Sequence, residues 1–294
     1  MRTVAGIDIG GTKIAAGRVN ERAEVTTPAT LPTLAGEPFE RSLAQVYAAI
    51  EGCLDGPVDA IGICAPGPLN PKTGVILNPP NLPAWRNVPL AELVTKRFGL
   101  PCRVENDANA AGLAEVLFGA AQGMDSVLYV TLSTGIGAGI LLNGRIYHGK
   151  NGAAAEGGHV TIDWQSETIC NCGAPGCIEA LASGTAMAKR AGMSAEQMAR
   201  AVGAGDAVAT GVFEETALMI GAWLGSMVSV LDPDMIVIGG GVSHIGEPLF
   251  SRLRELVPKR TINQFAASIP IVPAKLAGNA GIIGAAAVIL AGSL

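Results

Sequence analysis

Val4-Ala5-Gly6-Ile7-Asp8-Ile9-Gly10-Gly11-Thr12-Lys13-Ile14 opens the chain with the pattern that decides its fold. Residues 4–9 read as a strand, Gly10-Gly11 as a turn, and Ile14 to Val19 as a second strand, giving a hairpin with polar groups at its bend. Ser126 to Leu132, the turn Ser133-Thr134-Gly135, and Ile136 to Leu142 repeat that design. Two hairpins, each followed by alternating helix and strand signals, predict a duplicated α/β unit with a cleft between the copies. Ligands of open α/β sheets sit beyond the strand ends, where such glycine turns are found.

Outward from the first hairpin, the pattern predicts a helix over Pro38 to Leu54, a strand at Ala60 to Cys64, a helix from Leu90, a strand at Cys102 to Glu105 and a helix from Ala108. The second half predicts helices at Gly184 to Ala191, Ser194 to Val202, Asp206 to Ala209 and Val212 to Leu231, then the strand Met235 to Ile238, the turn Gly239-Gly240-Gly241 and a further helix. The expected division is a smaller α/β domain over 1–115, with 281–294 packing back on it, and a larger one over 116–280.

The chain has 294 residues, 49% apolar, 15% charged, with 39 glycines and a net charge of −5. That describes a globular protein with a substantial core and many tight turns. Without clustered Lys and Arg to displace counterions, a nucleic-acid surface is not expected. The most apolar run, Ala217 to Leu231, is interrupted by Ser226 and Ser229 and stopped by Asp232-Pro233, so it reads as a buried helix and no membrane span is expected.

His159, Cys170, Cys172 and Cys177 gather four soft or borderline ligands in one short loop, which suits a closed tetrahedral zinc site. The alternative is buried thiols or bridges. The N-terminus shows no secretion-signal pattern, so a reducing, cytoplasmic setting is expected, and there clustered cysteines favour metal. Cys53, Cys64 and Cys102 read as core thiols.

Asp8-Ile9-Gly10-Gly11-Thr12-Lys13 places a carboxylate, two residues without side chains, a hydroxyl and an ammonium at a strand end. Backbone N–H groups at such glycines approach phosphate closely. The echo in Ser133-Thr134-Gly135-Ile136-Gly137-Ala138-Gly139 supplies a second set of contacts, as a nucleoside triphosphate needs. Gly239-Gly240-Gly241 reads either as backbone passing a nucleoside or as a plain tight turn. A P-loop is excluded, because no Gly-x-x-x-x-Gly-Lys-Ser/Thr stretch occurs. Asp107, in Glu105-Asn106-Asp107-Ala108-Asn109, reads either as a helix cap or as a general base facing the cleft. The ordered loop Asn78 to Trp85 either meets sugar hydroxyls and a sugar ring or is a turn anchored by Trp85.

Together these motifs, with Ala65-Pro66-Gly67-Pro68 and Glu156 to His159, resemble the ROK family of bacterial sugar kinases and repressors, within the actin-like and hexokinase-like ATPase superfamily. The resemblance spans nearly the whole chain. It implies a two-domain actin-like, ribonuclease H-like ATPase fold and ATP-dependent phosphorylation of a hexose, glucose before N-acetylmannosamine, N-acetylglucosamine or fructose. It implies that Gly67, Asn81, Asn106, Asp107, Glu156, His159 and Glu179 hold the sugar, with Asp107 as base. The phosphates of ATP, with Mg2+, fall to Asp8, Gly10, Gly11, Thr12, Lys13, Thr134, Gly135 and Gly137, with Gly239, Gly240 and Gly241 near the nucleoside. The family's zinc signature falls on His159, Cys170, Cys172 and Cys177, and its habit is a homodimer or homotetramer. Ser133 and Ala138 stand where many members have glycine, and Asn171 separates the first two cysteines where glycine is usual. The non-enzyme alternative is a sugar-sensing transcriptional regulator of this fold lacking its DNA-binding domain; the repressors that the resemblance brings in carry an N-terminal helix-turn-helix, and none is expected in the residues ahead of Asp8. Polyphosphate-using relatives generally lack the cysteine cluster.

Overall fold

The computed structural model describes residues 2–276 and 278–292. Its contacts group into two compact units: one of residues 1–122, 145–154 and 276–294, the other of 123–144 and 155–275. The first division thus falls at 122/123 rather than 115/116, and residues 145–154, expected in the second domain, group with the first.

The first unit opens with β1 (Thr3–Ile9), β2 (Lys13–Asn20), β3 (Val25–Pro32), α1 (Phe39–Glu51) and β4 (Ala60–Ala65). It continues with a small hairpin, β5 (Leu69–Asn70) and β6 (Val75–Ile76), then α2 (Leu90–Phe98), β7 (Cys102–Asn106) and α3 (Asp107–Phe118). Its sheet has the order β3-β2-β1-β4-β7, antiparallel in the hairpin and parallel across β1, β4 and β7. β3 escaped the sequence reading. It is an edge strand with mostly exposed residues, a bulge between Ala16 and Arg18 opposite, and Thr27 at φ +50°, so no apolar alternation marks it.

The second unit has β8 (Ser126–Leu132) and β9 (Ile136–Leu142), with the bounds expected from the sequence. The chain then forms β10 (Arg145–Ile146), which groups with the first unit, and returns to a 3₁₀ turn at Gly157–His159. Next come α4 (Ile178–Ala182), α5 (Gly184–Ala191), α6 (Ala195–Gly203), α7 (Ala207–Leu231), β11 (Met235–Gly239), α8 (Glu247–Leu256) and β12 (Ile271–Pro273). Within this unit the strands run β9-β8-β11-β12, again an antiparallel hairpin followed by parallel neighbours. The plan of the first unit is repeated, as duplication predicts.

Two predicted helices, Asp206 to Ala209 and Val212 to Leu231, are one 25-residue helix, α7, with Asp206 as its N-cap. Gly211 interrupts the pattern but costs only about 1 kcal/mol in a helix interior, which tertiary packing overrides. By length and apolar content this helix would suffice to cross a bilayer, which corrects the shorter run inferred from sequence. Its Trp223, Leu224 and Val228 are instead fully buried, against α4 and α8 among others.

The last helix, α9 (Ala280–Leu290), lies on β1, β4 and α3 of the first unit. The close fit follows from small residues. A Cβ at Gly6 or Gly62 would run into the α9 backbone at Ile282 or Ala285, and one at Gly284 would stand 2.9 Å from the Ala110 carbonyl carbon. Strand glycines of this kind mark a close backbone approach.

Candidate active site

In the first unit, Asp8, Cys64 and Glu105 are register partners across β1, β4 and β7, so these three parallel strands end side by side. Their carboxyl edge carries the first unit's share of the residues singled out from sequence, among them Asp8, Asn106 and Asp107. The turn after β1 is closed by Gly10 N–H donating to the Lys13 carbonyl at 2.9 Å. The buried Thr33 hydroxyl donates to the Gly10 carbonyl at 2.6 Å, while Thr12 and Lys13 stay exposed. A Cβ at Gly11 would lie 3.2 Å from Asn81 Cβ, so the bare turn allows the loop of Asn78 to Trp85 to close on it. Asn81 is exposed. Trp85 is fully buried, its indole N–H donating to Ser42 Oγ at 3.1 Å and its ring meeting Phe39 edge-on. It therefore anchors the loop and is not a surface for a sugar ring.

At the end of β7, Asn106 rather than Asp107 is the N-cap of α3. Its Oδ1 accepts from the N–H groups of Ala108 at 3.0 Å and Asn109 at 3.2 Å. With that oxygen committed, the Asn106 NH2 group is what can serve a ligand. Asp107 is the exposed first residue of the helix, and its Oδ1 accepts the Ala108 N–H at 2.8 Å. The N-cap position thus belongs to Asn106, and Asp107 is the acid of the first helical turn. Burial raises the Asp8 carboxyl above its ordinary range, opposed by the Cys64 thiol and Lys13. The Cys64 thiol donates to Asp8 Oδ1 at 3.3 Å. It is itself pushed well up, by burial first, with Asp8 and Asp107 adding. Register puts the two carboxylates near one another on this edge, Asp8 being the partner of Cys64 and Asp107 following Asn106, the partner of Ala65. Hard oxygen donors of this type suit magnesium. Gly67 follows β4 at the same edge, partly buried.

In the second unit, the β8–β9 turn is closed by Ser133 N–H to the Gly135 carbonyl at 2.9 Å and leaves Thr134 exposed. Glu179, in the first turn of α4, accepts the Ile136 N–H at 3.0 Å, and Gly184 N–H donates to the Ser133 carbonyl at 2.7 Å. Gly137 lies in β9 opposite Thr131, past the turn itself. Gly240, at φ +86°, sits so close to the Leu132 backbone that a side chain there would collide with it. A Cβ at Gly239 would meet the Tyr129 hydroxyl at 2.7 Å, so packing accounts for these two glycines, while Gly241 faces open space.

The candidate ligand atoms of His159, Cys170, Cys172 and Cys177 all lie within 4.8 Å of one another. Cys170 Sγ is 3.5 Å from His159 Nδ1, and Cys172 Sγ is 3.6 Å from Cys177 Sγ. A tetrahedral zinc with Zn–S near 2.3 Å and Zn–N near 2.0–2.1 Å sets its ligands roughly 3.5–3.8 Å apart, so the four residues fit that ion. Gly173 at φ +92° and Gly176 at φ +71° make the tight bends between the cysteines. Burial raises the Glu156 carboxyl, with His159 opposing and Glu179 adding. Glu156, His159 and Glu179 thus form one cluster beside the cysteines. Sequence reasoning missed two features here: the grip of Glu179 on the β8–β9 turn, and a Glu105–His148 pair in the first unit at 2.6 Å. Neither contact has a local signal, since the partners lie 43 residues apart in both cases.

A family model described as "ROK family" matches residues 4–291. A glucokinase of Thermotoga maritima is 34% identical over 97% of this chain and 96% of its own length. A ROK family glucokinase from Streptomyces griseus, solved with glucose and AMPPNP, superposes with a TM-score of 0.86 at 36% identity, covering 97% of this chain and 98% of that one. A ROK hexokinase from Thermus thermophilus gives 0.84 at 37% identity, with 97% of each chain covered. The duplicated α/β architecture is therefore the actin-like fold of ROK sugar kinases, and this chain belongs to the ROK family.

Proposed function

We propose that the protein is an ATP-dependent hexose kinase that converts glucose to glucose 6-phosphate. The observation that carries this reading is the carboxyl edge of β1, β4 and β7, where Asp107, the first residue of α3, stands on the same edge as Asp8 and the Gly10–Lys13 turn. End-to-end similarity to glucokinases supports it.

In this reading Asn81, Asn106 and Asp107, with the Gly67 backbone, bind sugar hydroxyls, and so do Glu156, His159 and Glu179. Asp107 accepts the proton of the attacking hydroxyl, a contribution of about 10²–10⁴ in rate. Thr12, Lys13 and the backbone of Gly10 and Gly11 hold phosphate oxygens, as do Thr134 and Gly135. Magnesium, held near Asp8, neutralises phosphate charge when bound with ATP. Zinc, on His159 Nδ1, Cys170, Cys172 and Cys177, supplies structural order when bound. With Nδ1 toward the cysteines, Nε2 of His159 is the nitrogen that can meet a sugar hydroxyl.

The test is release of ADP with ATP and magnesium across a panel of glucose, fructose, N-acetylmannosamine and N-acetylglucosamine. Glucose is expected to have the highest kcat/KM; a preferred N-acetylhexosamine or fructose moves the acceptor within the family, and no turnover on any sugar overturns the kinase reading. Asp107→Ala is expected to lower kcat by about 10²-fold or more while glucose still binds. A variant with near wild-type turnover removes Asp107 from the role of base.

A further inference from the structure

Glu105 has a carboxylate whose side chain is only 3% exposed, and such a group must be matched by donors where it lies. Its Oε1 accepts from the Asn106 N–H at 2.9 Å and from Asn109 Nδ2 at 3.2 Å. Its Oε2 is 2.6 Å from Nε2 of His148. One donor is thus the backbone of the residue before Asp107, the second is on the first turn of α3, and the third comes from the segment 145–154. Asn109 is itself buried, and its Oδ1 has no partner, so Glu105 is the group that fixes that amide.

His148 is held from its own side as well. Ala154 N–H donates to the His148 carbonyl at 3.2 Å, which closes the segment into a loop. Lys72 Nζ donates to the Lys150 carbonyl at 3.2 Å, and a Cβ at Gly152 would stand 2.6 Å from Pro71 Cδ. The segment is therefore seated on the β5–β6 hairpin, with its imidazole presented to Glu105. All three partners of the carboxylate converge on the bend from β7 into α3, where Asn106 and Asp107 stand.

We infer that Glu105 and His148 are a positioning pair for the phosphoryl transfer: His148 holds the buried carboxylate, and the carboxylate holds the bend that aims Asn106 and Asp107. This rests on the assignment of Asp107 as base. Neither residue of the pair touches the substrate. Without His148, one carboxylate oxygen is left buried and unpaired, and Glu105 relieves this by turning away, which frees the Asn106 N–H and the Asn109 amide. A base displaced by about an ångström loses on the order of 10²-fold in rate.

The experiment compares His148→Ala, His148→Gln, Glu105→Ala and Glu105→Gln with the wild-type chain, reading kcat and the KM of each substrate beside thermal unfolding. His148→Ala is expected to lower kcat by about 10–100-fold, with the KM for ATP within about twofold of wild type, because the phosphate turn does not hang on this pair. His148→Gln, whose amide can still donate to Glu105, is expected to recover most of kcat. Glu105→Gln, which keeps an oxygen for both N–H donors, is expected to stay well above Glu105→Ala. Should the alanine variants fail to fold, the two glutamine variants decide: each nearer to wild type than to Asp107→Ala supports the pair, and each as inactive as Asp107→Ala overturns it. A folded His148→Ala with wild-type kcat overturns the inference and leaves the kinase reading standing. A wild-type chain that phosphorylates no hexose overturns that reading, and the inference with it.

Discussion

The two glycine hairpins look alike in sequence and are braced by different means. The turn at Gly10–Thr12 is held by a neutral buried hydroxyl, Thr33, whose backbone N–H also donates to the Thr12 carbonyl at 3.0 Å. The turn at Ser133–Gly135 is held by a carboxylate, Glu179, which lies two residues past Cys177. In the first unit the bracing residue is not one of those proposed to bind sugar. In the second, one side chain braces the turn proposed to bind phosphate, lies 3.8 Å from Cys170 Sγ, and belongs to the cluster proposed to bind sugar. Gly135 lacks a side chain for this reason too, since a Cβ there would run into the Glu179 carboxylate. Damage to the second turn should therefore spread to several functions, and damage to the first should not.

Loss of the proposed zinc is the largest test of that contrast. Outer partners of metal sites typically cost about 10–100-fold in affinity or activity, so removing the ion by chelation, or a ligand by Cys177→Ser, should cost at least that much in kcat/KM. Because Glu179 carries the disturbance to Ile136, the KM values for glucose and ATP are expected to rise together. Thiol labelling reports the same event without activity. In metal-free protein, Cys172 is expected to react first, being exposed and with its thiol lowered by the Ala174 backbone N–H. Cys177, pushed up to about 12 mainly by burial, should lag behind. Full activity after stripping, or equal labelling rates with and without zinc, would break the link between loop and turn.

A smaller effect comes from the braces themselves. Thr33→Val removes one neutral hydrogen bond, worth about 0.5–1.5 kcal/mol, and should raise the KM for ATP severalfold while leaving that for glucose alone. Glu179→Ala removes a charged acceptor worth roughly 1.5–3 kcal/mol, and should raise both KM values by about tenfold or more. Steady-state kinetics on the two variants decides. If Glu179→Ala alters one substrate only, the dual role assigned to that side chain is wrong.

The hairpins were legible because short apolar runs, bounded by Gly-Gly or Ser-Thr-Gly turns, leave little freedom in where β8 and β9 begin and end. The cysteine loop was legible because three thiols and an imidazole crowded into one short loop suit a soft metal better than they suit a core or a surface. β3 and β12 were not, the first because an exposed edge strand carries no burial pattern, the second because three residues are too few to show one. Asp107 was ambiguous for a specific reason: Asn106 and Asp107 are both good capping residues, and only the backbone shows that Asn106 takes the cap. Trp85 shows the opposite failure. Its loop context allowed a sugar contact, whereas the buried Ser42 hydroxyl that receives its N–H sits on a helix far back in sequence. Contacts of this kind, like Glu105 with His148, are products of topology and leave no trace in local spacing.

The smallest expected effect concerns what stands behind each turn. One residue before the last of the strand, the first unit has Asp8 and the second has Thr131, so only the first places an ionisable group in the sheet edge itself. Burial raises the Asp8 carboxyl above its ordinary value of 3.8, with the Cys64 thiol and Lys13 opposing. An acid whose folded value is raised favours the fold in its protonated form. Its contribution is complete below the unfolded value and is lost as pH rises through the folded value. At neutral pH the ionised Asp8 therefore costs stability, which fits a group kept for binding rather than for folding. Asp8→Asn should raise the midpoint of thermal unfolding at pH 7 by roughly 2–4 °C per kcal/mol relieved. The gap should narrow as the pH falls through the raised carboxyl value and close near pH 3.8. Activity should fall in the same variant, since the carboxylate proposed to face magnesium is gone. Equal midpoints at every pH would mean that this edge carries no electrostatic strain, and that the two hairpins differ in their braces alone.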